Sequence, residues 1–281
     1  MKSRRTDADL KDLLDQAYDR FARPEFIAND PIQVPKSFAR REDAEVIGFL
    51  TATIAWGQRK TIVDNAWKLV RLMDEAPHDF VMNADAKEVK RLDGFVHRTF
   101  NGIDLMHFVR GLRHLYTNHG GLEAAFLPEP NPGLNRSLRA ADVLKAQEPW
   151  LATEGIALFK QRFFAVGHQA RTQKHVADPA KGSNAKRINM FLRWMVRPND
   201  RGIDLGLWKR IPASALHVPL DVHTGRVGRE LGLLTRKQDD WKSVVELTAS
   251  LRRFDPDDPV KYDIALFAIG VHAGKPIARS R

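Results

Sequence analysis

The chain has 281 residues, and 43% of them are hydrophobic, which is enough apolar material for the core of one large domain or two medium-sized ones. It contains no cysteine, and this excludes disulfides, thiolate metal sites, iron–sulfur clusters and cysteine nucleophiles. With 45 basic and 35 acidic side chains the net charge is +10, which favours a polyanionic partner such as nucleic acid.

The first segment, MKSRRTDADLKDLLDQAYDRF, is charged and then amphipathic, and it lacks the apolar core of a secretory signal. No run of about 18 apolar residues occurs in the chain, which argues against a membrane-spanning helix. We therefore expect a cytoplasmic protein without a membrane partner, and a nucleoid-associated one if its partner is DNA.

Apolar residues recur with helical spacing along most of the chain, and alternating strand patterns are absent, so we predict an all-α fold. Thr61 is expected to cap one helix, and Gly120 and Gly121 are expected to end another. Segment 128–140 is interpreted as a loop, and segment 171–186 is polar, basic and interrupted by glycine and proline. The predicted helices are 9–22, 42–58, 61–76, 102–120, 185–197, 222–234, 240–254 and 259–274.

A turn directly precedes the predicted helix at 185–197. The sequence KGSNAKR places glycine, serine and asparagine at 182–184, and glycine and asparagine tolerate left-handed backbone geometry. Free amides at a helix N-terminus bind anions, so the turn suits a DNA phosphate. Lys186 lies in the first helical turn, and Met190 follows one turn later on the same side.

A second segment, VPLDVHTGRV, places a carboxylate directly after an apolar run. Asp221 is positioned to cap the following helix, and a purely structural capping role is the alternative to a chemical one. His223 is interpreted as a structural residue. Arg226 and Arg229 share a helical stripe that faces solvent or a DNA backbone.

These segments resemble the DNA glycosylases of the helix–hairpin–helix–GPD superfamily. GSNAKRINMFL resembles the turn and helix that carry the catalytic lysine, and LDVHTGRV is similar to the segment that carries the catalytic aspartate. YDIALFAIGVHAG resembles the closing helix, and FLTATIAWGQRKTIVDNA resembles an early helix that ends in glutamine. The whole chain also resembles the bacterial family of domain of unknown function 2400.

The superfamily resemblance covers about 45–75 and 180–274 and leaves the middle of the chain unassigned. One hairpin glycine is replaced by Asn184. The spacing of 35 positions between Lys186 and Asp221 is similar to that of the archaeal 8-oxoguanine glycosylases. The resemblance implies two helical subdomains that flank a cleft. A terminal subdomain would contain 1–45 and 235–281, and a central one, 46–234, would contain the hairpin (180–197) and the aspartate segment (218–234).

The resemblance implies a DNA repair glycosylase with AP lyase activity that excises an oxidised purine through a lysine Schiff base. Lys186 would be the nucleophile and Asp221 the carboxylate that stabilises charge on the sugar. No cofactor or metal is implied, and the partner would be double-stranded DNA with a damaged base, bound by a monomer. The expected base-pocket residues are Met190, Asp263, Phe267 and Gln58. The expected contacts to the DNA backbone are Lys181, Gly182, Ser183, Asn184, Arg187, His223 and Arg226.

Within this pocket Phe267 would cover the face of the base and Asp263 would accept hydrogen bonds at its edge. Gln58 would fill the space left by the base or read the opposite strand. Phe267 and Met190 as ordinary core residues, and Asp263 paired with a nearby cation, are the alternatives.

Three other functions stay open at this point. A catalytically silent helix–hairpin–helix nucleic-acid-binding protein would have Lys186 and Asp221 facing apart. A monofunctional glycosylase would use Asp221 and water, without a covalent adduct. A basic helical scaffold for a protein partner would show no salt-dependent affinity for DNA.

Overall fold

A computed structural model describes residues 5–129 and 150–272, and this part of the chain is mostly helical, as predicted. The 130–140 part of the predicted loop lies outside the described residues. The α-helices are α1 (Asp7–Phe21), α2 (Gln33–Lys36), α3 (Arg41–Thr53), α4 (Arg59–Leu72), α5 (Pro77–Asn83), α6 (Ala86–Lys90), α7 (Gly102–Asn118), α8 (Leu122–Ala125), α9 (Ala152–Phe163), α10 (Lys186–Val196), α11 (Val222–Glu230), α12 (Trp241–Arg252) and α13 (Tyr262–His272).

Short elements connect these helices. Strands β1 (Val96–His97) and β2 (Phe100–Asn101) pair antiparallel, and they are too short to produce the alternating pattern by which strands are recognised in a sequence. The 3-10 helices are Pro24–Ile27, Arg91–Gly94, Ala170–His175, Pro179–Lys181, Ala213–Ala215 and Pro259–Lys261.

The predicted helix at 42–58 is too long at its C-terminal end. Helix α3 stops at Thr53, and Gly57 has a φ of 105°, which no right-handed helix accommodates. Helix α4 then begins at Arg59 with Gln58 as its N-cap residue. The predicted cap at Thr61 is therefore wrong, because this residue already lies inside the first turn of α4.

Two other predicted helix boundaries are confirmed, and a third lies earlier than predicted. Gly120 and Gly121 follow α7 with φ values of 70° and 96°, the left-handed region in which glycine avoids strain. The Asp221 carboxylate caps α11 by accepting a hydrogen bond from the Thr224 amide at 2.8 Å. Helix α11 ends at Glu230, short of the predicted 234.

The core is centred on the buried helix α3. Its Phe49 side chain is 2% exposed and lies 5.5 Å, between ring centroids, from both Phe108 of α7 and Phe191 of α10. Helix α10 packs against α3, while α1 and α11 both pack against α13. The ends of the described chain thus meet around α13, which is consistent with a subdomain built from both termini, and its boundaries stay a prediction.

A buried ionic cluster joins α10 to α13. Asp204 is fully buried and accepts hydrogen bonds from Arg193 at 3.2 Å and from Arg197 at 2.5 Å. Arg193 also contacts Asp263 of α13 at 2.5 Å, and Arg197 contacts Asp258 at 2.8 Å. Because each buried charge in this cluster has an opposite partner, the cluster fixes the relative position of the two helices.

Candidate active site

An open pocket of about 260 Å³ lies where α10, α13 and the start of α11 approach the loop after α3. A 3-10 helix near the N-terminus closes one side. The residues that line this pocket are Phe26, Ile27, Asp30, Pro31, Ala55, Trp56, Gly57, Arg59, Ile62, Lys186, Met190, Arg193, Trp194, Pro219, Asp221, His223, Asp263, Ile264 and Phe267.

One face of α10 forms a wall of the pocket. Lys186, Met190, Arg193 and Trp194 follow the spacing i, i+4, i+7 and i+8, which places side chains on one side of a helix. The sequence predicted the shared orientation of Lys186 and Met190, and both line the pocket. Trp194 is fully buried, and its indole N–H has no hydrogen-bond partner within the described part of the chain.

The turn before α10 determines where Lys186 lies. Gly182 has a φ of 82° and Ala185 a φ of 48°, so the chain reverses direction just before the helix starts. The Asn184 side chain accepts a hydrogen bond from the Lys186 amide and donates one to the Leu220 carbonyl, both at 3.2 Å. Asn184 therefore connects the start of α10 to the residue that precedes Asp221.

Two backbone amides of this turn already have partners within the protein. The Ser183 hydroxyl accepts a hydrogen bond from the Ala185 amide at 3.2 Å, and Asn184 already engages the Lys186 amide. Side chains of the turn thus satisfy two amides that a phosphate would have needed.

Lys186 and Asp221 both line the pocket although 35 positions separate them in the sequence. Both side chains are partly buried. Within the described residues neither one takes part in an ion pair, so the ammonium and the carboxylate are available to a molecule in the pocket. The arrangement brings an amine from the first turn of α10 and the carboxylate that caps α11 to the same pocket.

Asp263 is buried in the pocket wall, and its oxygens have partners inside the protein. Besides Arg193, it contacts the Thr224 hydroxyl at 3.4 Å. Burial raises the pKa of the Asp263 carboxyl to about 6, and Asp221 adds to this rise while Arg193 opposes it. Asp263 is thus paired with an arginine, as in the alternative to a base-contacting role. A hydrogen bond from the edge of a base to this carboxylate would compete with Arg193.

Aromatic rings also line the pocket. Phe267 meets Phe26 edge-on at 6.1 Å and His223 edge-on at 5.6 Å, and the Arg59 guanidinium lies 5.5 Å from its centroid. Trp56, Phe26 and Arg59 were not among the predicted site residues. The aromatic and basic side chains within AWGQR were the available signal for two of them.

Gly57 lines the pocket and lies next to the Arg98 side chain. A Cβ at Gly57 would lie 2.9 Å from the Arg98 guanidinium, which extends from the tip of the β1–β2 hairpin across the glycine. Arg98 itself has a φ of 54°, an uncommon conformation for a side chain with a Cβ. The Arg98 side chain could move to make room for a Cβ, so glycine is favoured at position 57 mainly by its φ of 105°.

Several residues predicted to contact DNA have partners within the protein. Arg187 points inward, where it donates to the Thr53 carbonyl and covers the Trp56 ring at 4.5 Å. Arg226 is bound to Glu230 and to the Gly270 carbonyl, both at 2.8 Å.

The remaining predicted contacts lie closer to solvent. Lys181 and His223 are exposed, and His223 lines the pocket. Gln58 is exposed beside the pocket but does not line it, although its neighbours Gly57 and Arg59 do.

Within residues 5–129 and 150–272, no group of three or more histidine, aspartate or glutamate side chains is arranged to hold a metal ion. No helix in these ranges has the length and apolar character needed to cross a membrane.

Comparison with known proteins gives one match. No curated protein and no solved structure matches the chain. A family model described as "Protein of unknown function (DUF2400)" matches residues 30–272, a range that includes every pocket-lining residue except Phe26 and Ile27. The chain therefore belongs to the DUF2400 family.

Proposed function

We propose that this protein is a DNA glycosylase with AP lyase activity that excises an oxidised purine. The observation that carries the proposal is that Lys186 and Asp221 line one pocket together with aromatic side chains. The sequence resemblance supplies the reaction class, and the positive charge of the chain suits a DNA substrate.

In the proposed reaction the uncharged Lys186 amine attacks C1′ of the target nucleotide. The bond between C1′ and the base breaks, and the base leaves with the bonding electrons and takes up a proton. The C1′–O4′ bond then opens to give a Schiff base between Lys186 and the sugar, with a proton going to O4′. Removal of a C2′ proton then breaks the C3′–O bond, so the 3′ portion of the strand leaves with a 5′-phosphate. Water finally hydrolyses the Schiff base and regenerates the Lys186 amine.

Asp221 would act on the sugar rather than on the base. Breaking the glycosidic bond builds positive charge at C1′, and a nearby carboxylate stabilises that charge or accepts a proton from the amine. The Thr224 amide holds one oxygen of Asp221, and the other oxygen has no hydrogen-bond partner among the described residues. The carboxylate is therefore fixed in direction while it keeps an open acceptor.

The lining of the pocket is suited to hold a base that has left the DNA stack. An enzyme that acts on C1′ needs the nucleotide rotated out of the duplex, with apolar or aromatic groups against its faces. Phe267 and Trp56 provide such groups, and Met190 adds a polarisable side chain from α10. The choice of an oxidised purine rests on the resemblance to the 8-oxoguanine glycosylases.

The experiment is borohydride trapping on duplex oligonucleotides that carry 8-oxoguanine, uracil or an abasic site. Borohydride reduces a Schiff base to a stable amine, so we expect a cross-linked adduct that Lys186→Gln abolishes. Base release without any adduct would favour the monofunctional glycosylase. Neither adduct nor base release, with DNA binding intact, would favour the silent binding protein and overturn the proposal.

A further inference from the structure

A second and more open groove, of about 520 Å³, adjoins the pocket. The two share Trp56, Lys186 and Asp221, so the groove begins at the proposed reacting groups. It extends towards the part of the chain to which the resemblance gives no role. There its lining includes Lys160 of α9 and Lys174 of the 3-10 helix Ala170–His175.

Lys160 is the unusual residue of this groove. Its side chain is only 15% exposed, yet it donates no hydrogen bond within the described residues. Its one ion-pair partner there is the Oδ2 atom of Asp178 at 3.7 Å, while the Oδ1 atom of Asp178 accepts a hydrogen bond from the Ala180 amide. Burial lowers the pKa of Lys160, and the nearby Lys181 lowers it further.

Lys36 is another partly buried lysine, and its hydrogen bonds can be compared with those of Lys160. Burial also lowers the pKa of Lys36, but its ammonium donates to the Asn199 side chain at 3.1 Å and to the Asp204 carbonyl at 3.0 Å. Lys160 has one ion-pair partner at 3.7 Å and no closer acceptor among the described residues, so its ammonium keeps donors for a further acceptor. The position of Lys160 at the groove wall lets an acceptor reach it from outside.

The charges around the groove are mainly positive. Four lysines, at positions 160, 174, 181 and 186, line it, together with the guanidinium of Arg187. Of the three carboxylates in the lining, Asp178 faces Lys160 and Asp239 is bound by Arg229 at 2.5 Å. A bound anion would relieve the repulsion among the lysines and would supply closer acceptors for Lys160 than Asp178 does.

We infer that this groove binds the phosphodiester backbone of the DNA strand whose nucleotide enters the pocket, with Lys160 and Lys174 contacting phosphates. The inference rests on the proposed function for the identity of the strand. Phosphates on either side of an extruded nucleotide stay covalently attached to it, so the strand must leave the pocket along an adjoining surface. The groove is such a surface, and two of its cations, Lys160 and Lys174, come from elements outside the predicted hairpin.

The test measures binding by fluorescence anisotropy, because binding requires no chemistry. The probe is a duplex with a central, chemically stable abasic-site analogue, titrated at several salt concentrations. Lys160→Gln and Lys174→Gln should each weaken binding about tenfold and reduce the magnitude of the salt slope by about one. Lys87→Gln, an exposed lysine of α6 outside the groove, removes the same charge and should change neither quantity.

The outcomes separate this inference from the proposed function. If no lesion yields base release, but both groove variants lose affinity and salt slope, the groove inference stands and the proposed activity fails. If the wild type is trapped by borohydride while both variants bind like Lys87→Gln, the groove inference is overturned. If Lys160→Gln does not fold, the affinity and salt slope of Lys174→Gln, a substitution at an exposed position, decide the inference by the same criteria. A wild type that binds no DNA overturns both.

Discussion

The Asn184 side chain donates a hydrogen bond to the Leu220 carbonyl at 3.2 Å, and this contact joins the two halves of the candidate site. The same side chain accepts from the Lys186 amide, so it determines how far the start of α10 lies from the start of α11. Asn184 touches neither reacting group in the proposal, which makes it a positioning residue.

Replacing Asn184 tests this role. Asn184→Asp keeps an acceptor for the Lys186 amide but loses the donor to Leu220, whereas Asn184→Ala loses both contacts. We expect base release in single-turnover assays to fall about tenfold or more in both variants, with a loss of about 1 kcal/mol in stability to urea. Equal activity of Asn184→Asp and the wild type would show that the contact with Leu220 does not position the site.

Asp221→Asn separates chemistry from helix capping. Asparagine caps helices as well as aspartate does, so the hydrogen bond to the Thr224 amide should survive and urea unfolding should shift by less than about 1 kcal/mol. The negative charge is lost, and we expect base release to fall by a factor of about 100 to 1,000. If Asp221→Asn releases the base at the wild-type rate, Asp221 acts only as a helix cap.

Asp204→Asn tests the buried ionic cluster. The Asp204 carboxylate lies between Arg193 and Arg197, and its neutralisation leaves two buried guanidinium groups with less compensation. We expect unfolding in urea to lose about 3–5 kcal/mol. Asp200→Asn changes the same charge at an exposed position nearby and should be almost neutral. Comparable midpoints for the two variants would contradict a structural role for the cluster.

His107 should make stability depend on pH. Its ring is 1% exposed, lies 5.1 Å from the Phe164 ring, and has no hydrogen-bond partner among the described residues. Burial lowers the pKa of His107 to about 4. Between pH 6.5 and 4 the unfolded chain therefore binds a proton that the folded chain does not, and stability falls as the pH falls, by up to about 3 kcal/mol.

His107→Phe should keep the ring packing and remove this contribution. Urea unfolding at several pH values should give a shallower decline below pH 6.5 than in the wild type. The decline should not vanish, since burial also lowers the pKa of His175 and His217 to about 4. Parallel curves for the two proteins would show that His107 is protonated as easily in the folded state as in the unfolded one.

Long helices with a regular apolar stripe could be predicted from the sequence, and short elements could not. Residues 240–254 were predicted as a helix, and α12 covers Trp241–Arg252. Helix α6 has five residues and the β strands have two each, which is too short for any period to repeat. The loop after α3 is predicted as helix because IAWGQ is mostly apolar. In the structure α3 ends at Thr53, and Gly57 has a positive φ.

The candidate site likewise contains residues that could be predicted from the sequence and residues that could not. Motifs predicted Lys186 and Asp221, which line one pocket. Phe26 reaches that pocket through contact with Phe267, about 240 positions away, and no local pattern signals such a contact. Arg187 follows Lys186, but consecutive helical residues point about 100° apart, so one faces the pocket while the other turns towards Thr53.

The packing of α1 against α13 also bears on how the protein is made. Synthesis on the ribosome delivers α1 first and α13 last, and the pocket needs Phe26 from one end and Phe267 from the other. A nascent chain that stops before Tyr262 lacks Asp263 and with it one partner of Arg193. We therefore expect a complete pocket only after Phe267 has left the ribosome, so that a ligand of the pocket cannot be held before α13 has been made.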